Sequence, residues 1–151
     1  MSQKKIKKKF NYSKDKIIKL VLDIDNYKKF LPWCKGSKVL SNTDNFDNKI
    51  IIADLEIGYK VFSDTYRSEV IYKKNEGLIE VNPVFGPLRK LVNIWKITSL
   101  NENSCEIDFY IELELNNVLL DSMMSKMFDI GFNKILNAFS DRADYLYKSD
   151  I

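Results

Sequence analysis

Residues 105–115 read CEIDFYIELEL, and three residues further on, from Val118, the hydrophobic period lengthens from two to about 3.6. Cys105, Ile107, Phe109, Ile111, Leu113 and Leu115 alternate with Glu106, Asp108, Tyr110, Glu112 and Glu114. Such alternation predicts a half-buried antiparallel strand with one wet face. From Val118 to about Tyr147, Leu120, Met124, Met127, Gly131, Ile135, Phe139 and Leu146 form one broad stripe, with Phe128 and Phe132 beside it. A wet-faced strand followed by a long amphipathic helix predicts an α+β domain whose helix covers the dry face of a sheet. Gly131 interrupts good helix material at a cost of about 1 kcal/mol against alanine, which points to a bend or a close approach there.

The rest of the chain supplies the other strands. Lys5 to Tyr12 reads as a strand, and Ser13 as a helix N-cap with Asp15 in the first turn. Ile17, Leu20, Val21 and Ile24 then repeat at helical spacing. Asp25 or Asn26 can cap a second short helix through Phe30, which Pro32 helps to stop. From Ser37 the period is two. Lys49 to Phe62 places Ile51, Ala53, Leu55, Ile57 and Tyr59 on one face, with Asp54, Glu56 and Gly58 on the other. Ser63 to Tyr72 follows after a turn placed near Asp64, then Gly77 to Val84 and Lys90 to Leu100. The order β-α-α-β-β-β-β-β-β-α predicts one domain over residues 1–151, with a curved antiparallel sheet wrapped around the C-terminal helix.

Composition narrows the chemistry. A chain of 151 residues can bury one real core. No apolar run reaches the ~18 residues that would cross a bilayer, and the N-terminus lacks a signal-peptide core, so a cytoplasmic protein is expected. Histidine is absent, and Cys34 and Cys105 match no metal or redox spacing, so no metal site or histidine-based triad is expected. Lys4, Lys5, Lys7, Lys8, Lys9 and Lys14 against Asp15 give the first fifteen residues +6 − 1 = +5, leaving −2 of the net +3 for the remainder. This basic start is either a solvated end or a contact for an anionic membrane surface or ribosomal RNA. A basic footprint over the whole domain is missing, which argues against DNA.

Apolar material is plentiful on the inward faces. Met123, Met124 and Met127 offer the soft surface used where a binding face must re-pack, although such a stripe also suits a dry core. The candidate acids and bases Glu56, Arg67, Glu69 and Asp108 all fall on outward parity, where charge is normally solvated. No inward ionisable pair is evident, and catalysis is not expected.

Four segments carry a family resemblance: YKKFLPWCKGSKVL (27–40), ADLEIGYKVFSDTYRSEV (53–70), GPLRKLVNIWKI (86–97) and ILNAFSDRADYLY (135–147). In this order and spacing they resemble the coenzyme Q-binding START-like family, within the polyketide cyclase/dehydrase and lipid transport superfamily. That family includes mitochondrial ubiquinone-binding proteins and bacterial relatives, some known as ribosome association toxin A. The likeness runs from about residue 10 to 147, departing at Tyr59, where relatives often carry phenylalanine, and at Ile97, where an aromatic is common. It implies a helix-grip fold with an apolar cavity that holds ubiquinone or a related polyprenyl lipid, with no catalytic cofactor. The implied cavity residues are Leu55, Ile57, Tyr59, Tyr66, Asn93, Trp95, Phe109, Ile111, Met124, Met127, Phe128 and Phe132. Phe30, Leu31 and Trp33 would form one rim, with Phe85 and Leu88 in a second lip shaped by Gly86 and Pro87. Tyr59, Tyr66, Asn93 and Trp95 are the candidate donors to a quinone head; for Asn93 a satisfied core amide is the equal alternative. The resemblance leaves a role in respiratory electron transfer and binding to the large ribosomal subunit both open. The wider superfamily also contains cyclases and dehydratases. If the lysine-rich start docks on anionic lipid, the protein would be cytoplasmic with peripheral inner-membrane contact.

Overall fold

The computed structural model describes residues 2–59 and 62–150. Strand β1 (Ser2–Phe10) leads into helix α1 (Lys14–Leu22), a short 3-10 helix (Ile24–Lys29) and strands β2 (Cys34–Asp44), β3 (Asn48–Tyr59), β4 (Phe62–Lys73), β5 (Leu78–Phe85), β6 (Leu88–Asn101) and β7 (Ser104–Leu115). Helix α2 (Val118–Tyr147) completes the chain, with a 3-10 turn at Lys148–Asp150. The strands form one seven-stranded sheet in the order β1-β7-β6-β5-β4-β3-β2, with every described pairing antiparallel. Only β1 pairs out of sequence, lying along β7 with Ile6 opposite Phe109. Register shifts at Cys34/Gly36 and Val39/Ser41 in β2, at Val84 of β5 opposite Arg67/Ser68, and at Leu88/Lys90 and Ser99/Asn101 in β6 bend the sheet as β-bulges do. The result is an α+β helix-grip architecture, a curved open sheet with α2 on its concave side.

Sequence logic accounts for most boundaries. The Ser13 side chain caps α1 by accepting the Lys16 amide at 3.2 Å, and Asn117 caps α2 by accepting that of Leu120 at 3.1 Å. Three local expectations fail. β1 starts at Ser2, because residues 2–4 already pair with Leu113, Glu112 and Ile111. The short helix begins at Ile24 without a side-chain cap; Asp25 instead accepts the Val39 amide at 2.7 Å and pins the 3-10 helix to β2. Asp64 is no turn residue, since β4 already begins at Phe62, opposite Tyr59.

Burial falls off along the sheet. At the end covered by α1 and the last turns of α2, Ile17, Ala53, Ile79, Cys105 and Ala143 are all 0% exposed. Toward the opposite end the same inward faces continue with Leu55, Ile57, Leu91, Leu113, Met124 and Phe132, and these remain only half-buried. Among the described residues the backbone of α2 comes nearest β1, β7 and α1, while its Phe139 ring reaches Trp95 of β6. The helix therefore seals one end of the concave face and leaves the other partly uncovered. Met123 is an exception to the expected helix face, because it points to solvent.

Candidate ligand-binding site

The closed half is held by an aromatic cluster around Phe139. Its ring meets those of Tyr27, Phe30 and Trp95 edge-on at 5.4, 5.3 and 5.3 Å, the T-shaped geometry that aromatic quadrupoles favour. Trp95 in turn meets Phe109 at 4.8 Å, and Phe109 leads to Phe132 and Phe128. Trp95, Phe109, Ile111 and Phe128 are buried and form the floor from which the half-covered region opens. Phe30 belongs to this cluster, and with Leu31 it also borders a surface groove of about 410 Å³ against Lys134 and Asn137 of α2.

Beyond the floor lie Leu55, Ile57 and Tyr66 from β3 and β4, with Met124 and Phe132 from α2. The Tyr59 and Met127 side chains, both expected here, lie outside the described residues. Burial pushes the Tyr66 hydroxyl well above the ordinary tyrosine range, and nearby Cys34 adds to the shift. No hydrogen bond engages that hydroxyl among the described residues, leaving a neutral donor on the inner face. Asn93 is half used: its amide donates to the Tyr110 carbonyl at 3.0 Å, and its oxygen accepts the Trp95 indole N–H at 3.0 Å. The Trp95 N–H is thereby committed, and Asn93 keeps one N–H. Sequence reading passed over Ser68, which is 3% exposed on the same inward parity as Tyr66. The period-two alternation that singled out Tyr66 points to it as well.

The rim is built from close backbone approaches. Trp33 adopts φ 63°, a conformation rare for an aromatic residue, and its carbonyl accepts the Gly58 amide at 2.9 Å. Its indole lies on Gly131, where an added Cβ would stand 3.3 Å from the ring. The close approach expected at that mid-helix glycine is thus made by the rim tryptophan. On the other lip, Gly86 (φ 141°) crosses so near β4 that a Cβ would stand 2.5 Å from the Tyr66 Cβ. Phe85 is exposed beneath the Arg67 guanidinium at 4.6 Å, and Leu88 is half-buried.

Most of the paired charges lie on the outer face, the exceptions being Lys4 and Lys8 on the inner parity of β1, which reach α2. Arg67 forks onto Asp54 at 2.7 and 3.0 Å, which holds the Asp54 carboxyl below the usual range. Lys7 meets Asp108 and Glu106 at 3.7 Å, Lys73 meets Glu80 at 3.1 Å, and Lys90 meets Glu112 at 2.8 Å. Glu56 and Glu69 share this outward side. The lysines of β1 are an edge strand rather than a free tail, as suits a sheet edge that must resist further pairing. Lys4 pairs with Asp129 at 3.2 Å and Lys8 donates to Asn137 at 3.3 Å, whereas Lys5 and Lys9 project into solvent. No group of metal-binding side chains occurs among the described residues. Nor is any described helix long and apolar enough to cross a membrane.

Comparison with known proteins agrees with this geometry. The profile of the polyketide cyclase/dehydrase and lipid transport family matches residues 11–140, and the chain belongs to that family. It is 31% identical over 140 residues to the ribosome association toxin RatA of Rickettsia prowazekii, covering 91% of this chain and 92% of that protein. It is 27% identical over 148 residues to the mitochondrial coenzyme Q-binding protein COQ10 of Dictyostelium discoideum, covering 97% and 71%. The solution structure of the 18 kDa protein CC1736 from Caulobacter crescentus superposes with a TM-score of 0.78 at 26% identity, covering 98% and 99%.

Proposed function

We propose that the half-covered space between the sheet and α2 holds a prenylated quinone or a lipid of similar shape, and that the protein is a non-catalytic carrier supporting respiratory electron transfer. The observation that carries this reading is the burial gradient: an aromatic floor sealed at one end, then inward apolar side chains left half-covered around a Tyr66 hydroxyl that no described residue engages. The family's lipid-transport description and the coenzyme Q-binding relative support it. Apolar burial gives sufficient affinity. At ~0.8 kcal/mol per methylene, a five-carbon isoprene unit contributes about 3–4 kcal/mol at most. Two or three units offset the ordering cost and reach micromolar binding, which needs about 8 kcal/mol. Tyr66 and the remaining Asn93 N–H would donate to the quinone carbonyls.

Organic extraction of freshly purified protein followed by mass spectrometry tests the reading. A co-purifying quinone is expected, reduced in Trp33→Ala while the fold persists. An empty protein that also fails to take up added quinone overturns it.

A second reading, association with the large ribosomal subunit, is favoured by the groove at Lys28, Lys29 and Lys134 and by the RatA relatives. It predicts co-sedimentation with ribosomes that weakens steeply with salt. Catalysis is disfavoured on chemistry, because the described ion pairs lie on the outer face or at the surface, where nothing tunes them for proton transfer.

A further inference from the structure

The two ends of the sheet differ in the residues they expose. At the end sealed by α1, the connections run through Asn45 to Asp47, Lys74 to Gly77, and Asn101 to Asn103, polar turns in which Phe46 (90%) is the single exposed large apolar side chain. At the open end, the β5–β6 lip and the first turns of α2 expose Val84 (54%), Phe85 (51%), Val118 (77%), Leu119 (70%) and Met123 (43%). The two segments are tied together, since the Asn116 amide donates to the Pro87 carbonyl at 2.7 Å. Neither segment needs these side chains for its backbone. Asn117 already caps the helix, and the lip is set by the approach of Gly86 to Tyr66.

We infer that this apolar tip is a docking surface for a lipid bilayer, seating the open end of the interior against the hydrocarbon. A contiguous exposed apolar patch marks an interaction site, and three features favour a bilayer over a second protein. Five partly exposed side chains at the tips of two segments fall short of the ~800 Å² per partner that a stable protein interface uses. Beside the lip and α2, Glu114 pairs with Arg89 at 3.3 Å and Asp121 accepts the Leu115 amide at 2.9 Å, while Lys126 stands exposed on α2; the exposed Glu56 and Asp64 sit apart, at the β3–β4 hairpin. Apolar insertion flanked by cationic charge suits a headgroup interface. The tip also adjoins Tyr66, so a guest could pass between interior and bilayer without crossing water. This last point rests on the carrier reading; the docking surface itself does not.

The test is flotation of the purified chain with vesicles of phosphatidylcholine, alone and mixed with phosphatidylglycerol, alongside quinone extraction from the same samples. The wild type floats with both. The vesicle partition constant of Val118→Ser/Leu119→Gln falls about tenfold or more, because burying one leucine side chain is worth at least that factor. Val84→Thr, conservative in a strand, falls in the same direction should the helix variant fold poorly, and Phe46→Ser at the opposite end changes nothing. Failure of the wild type to float overturns the proposal. So do equal flotation by the tip variants, and a wild-type dimer in sedimentation that these variants dissociate without any flotation. Flotation of a protein that carries no quinone and takes up none when it is added would sink the carrier reading and leave the docking surface standing.

Discussion

The indole of Trp33 rests on Gly131: a Cβ built on that glycine would meet the Cζ3 and Cη2 atoms at 3.3 Å. The contact joins the loop before β2 to the middle of α2, and it resolves why a long helix tolerates glycine there. Trp33 reaches the site from φ 63°, a strain of about 1–3 kcal/mol that the surrounding structure must hold. Gly131→Ala should therefore gain the ~1 kcal/mol of helix propensity only when the ring is absent. In a double-mutant cycle read by urea unfolding, the substitution stabilises the Trp33→Ala background and gives clearly less, or a loss, in the wild type. Equal effects in both backgrounds would remove the contact from the account.

Asn93 and Tyr66 separate stability from binding. Asn93→Leu strands the Trp95 indole N–H and the Tyr110 carbonyl, an unsatisfied pair costing about 1–3 kcal/mol, visible as a lower denaturation midpoint. Tyr66→Phe removes a hydroxyl that no described residue uses. Its midpoint should hold while quinone affinity falls by about three- to tenfold, the worth of one hydrogen bond. A large fall in the Tyr66→Phe midpoint would make that residue a structural one.

Acid should weaken the β3–β4 seam. The Arg67 fork holds the Asp54 carboxyl below its usual 3.8, so the pair favours the folded state above that value. The contribution is lost as pH falls through the lowered folded value. Arg67→Lys keeps the charge but not the planar fork. In this variant the Asp54 titration followed by NMR moves back up, and acid resistance declines with it. An unmoved titration would show that the fork does not govern this carboxyl.

Alkali should act at the junction between the start of α1 and the end of α2. The Tyr12 hydroxyl donates to Asp144 at 2.6 Å, and this bond is the main cause that raises its pKa from 10.0 to about 12. A folded value above the unfolded one stabilises fully below pH 10.0 and is lost as pH rises through about 12. The stability advantage of the wild type over Tyr12→Phe, measured by urea midpoints across that range, should narrow as pH rises. An advantage independent of pH would assign it to packing with Tyr147 alone.

Periodicity in the sequence determined the strand and helix types and the inward parity of Trp95, Phe109, Phe128 and Phe139, because a side chain's face follows from its own backbone period. The poor helix propensity of glycine also marked Gly131 as a bend or a close approach. Which group makes that approach was decided only in three dimensions, since Trp33 reaches it across almost a hundred residues of chain. The same holds for the lysines of β1: the sequence reads a strand from Lys5, but its place along β7 at the sheet edge, engaging Asp129, Glu106 and Asn137, is tertiary. The difference between a sealed and an open end of one sheet is likewise tertiary. It arises because a straight helix laid over a curved sheet can approach the strands closely along only part of its length, and no local period records where the two surfaces part.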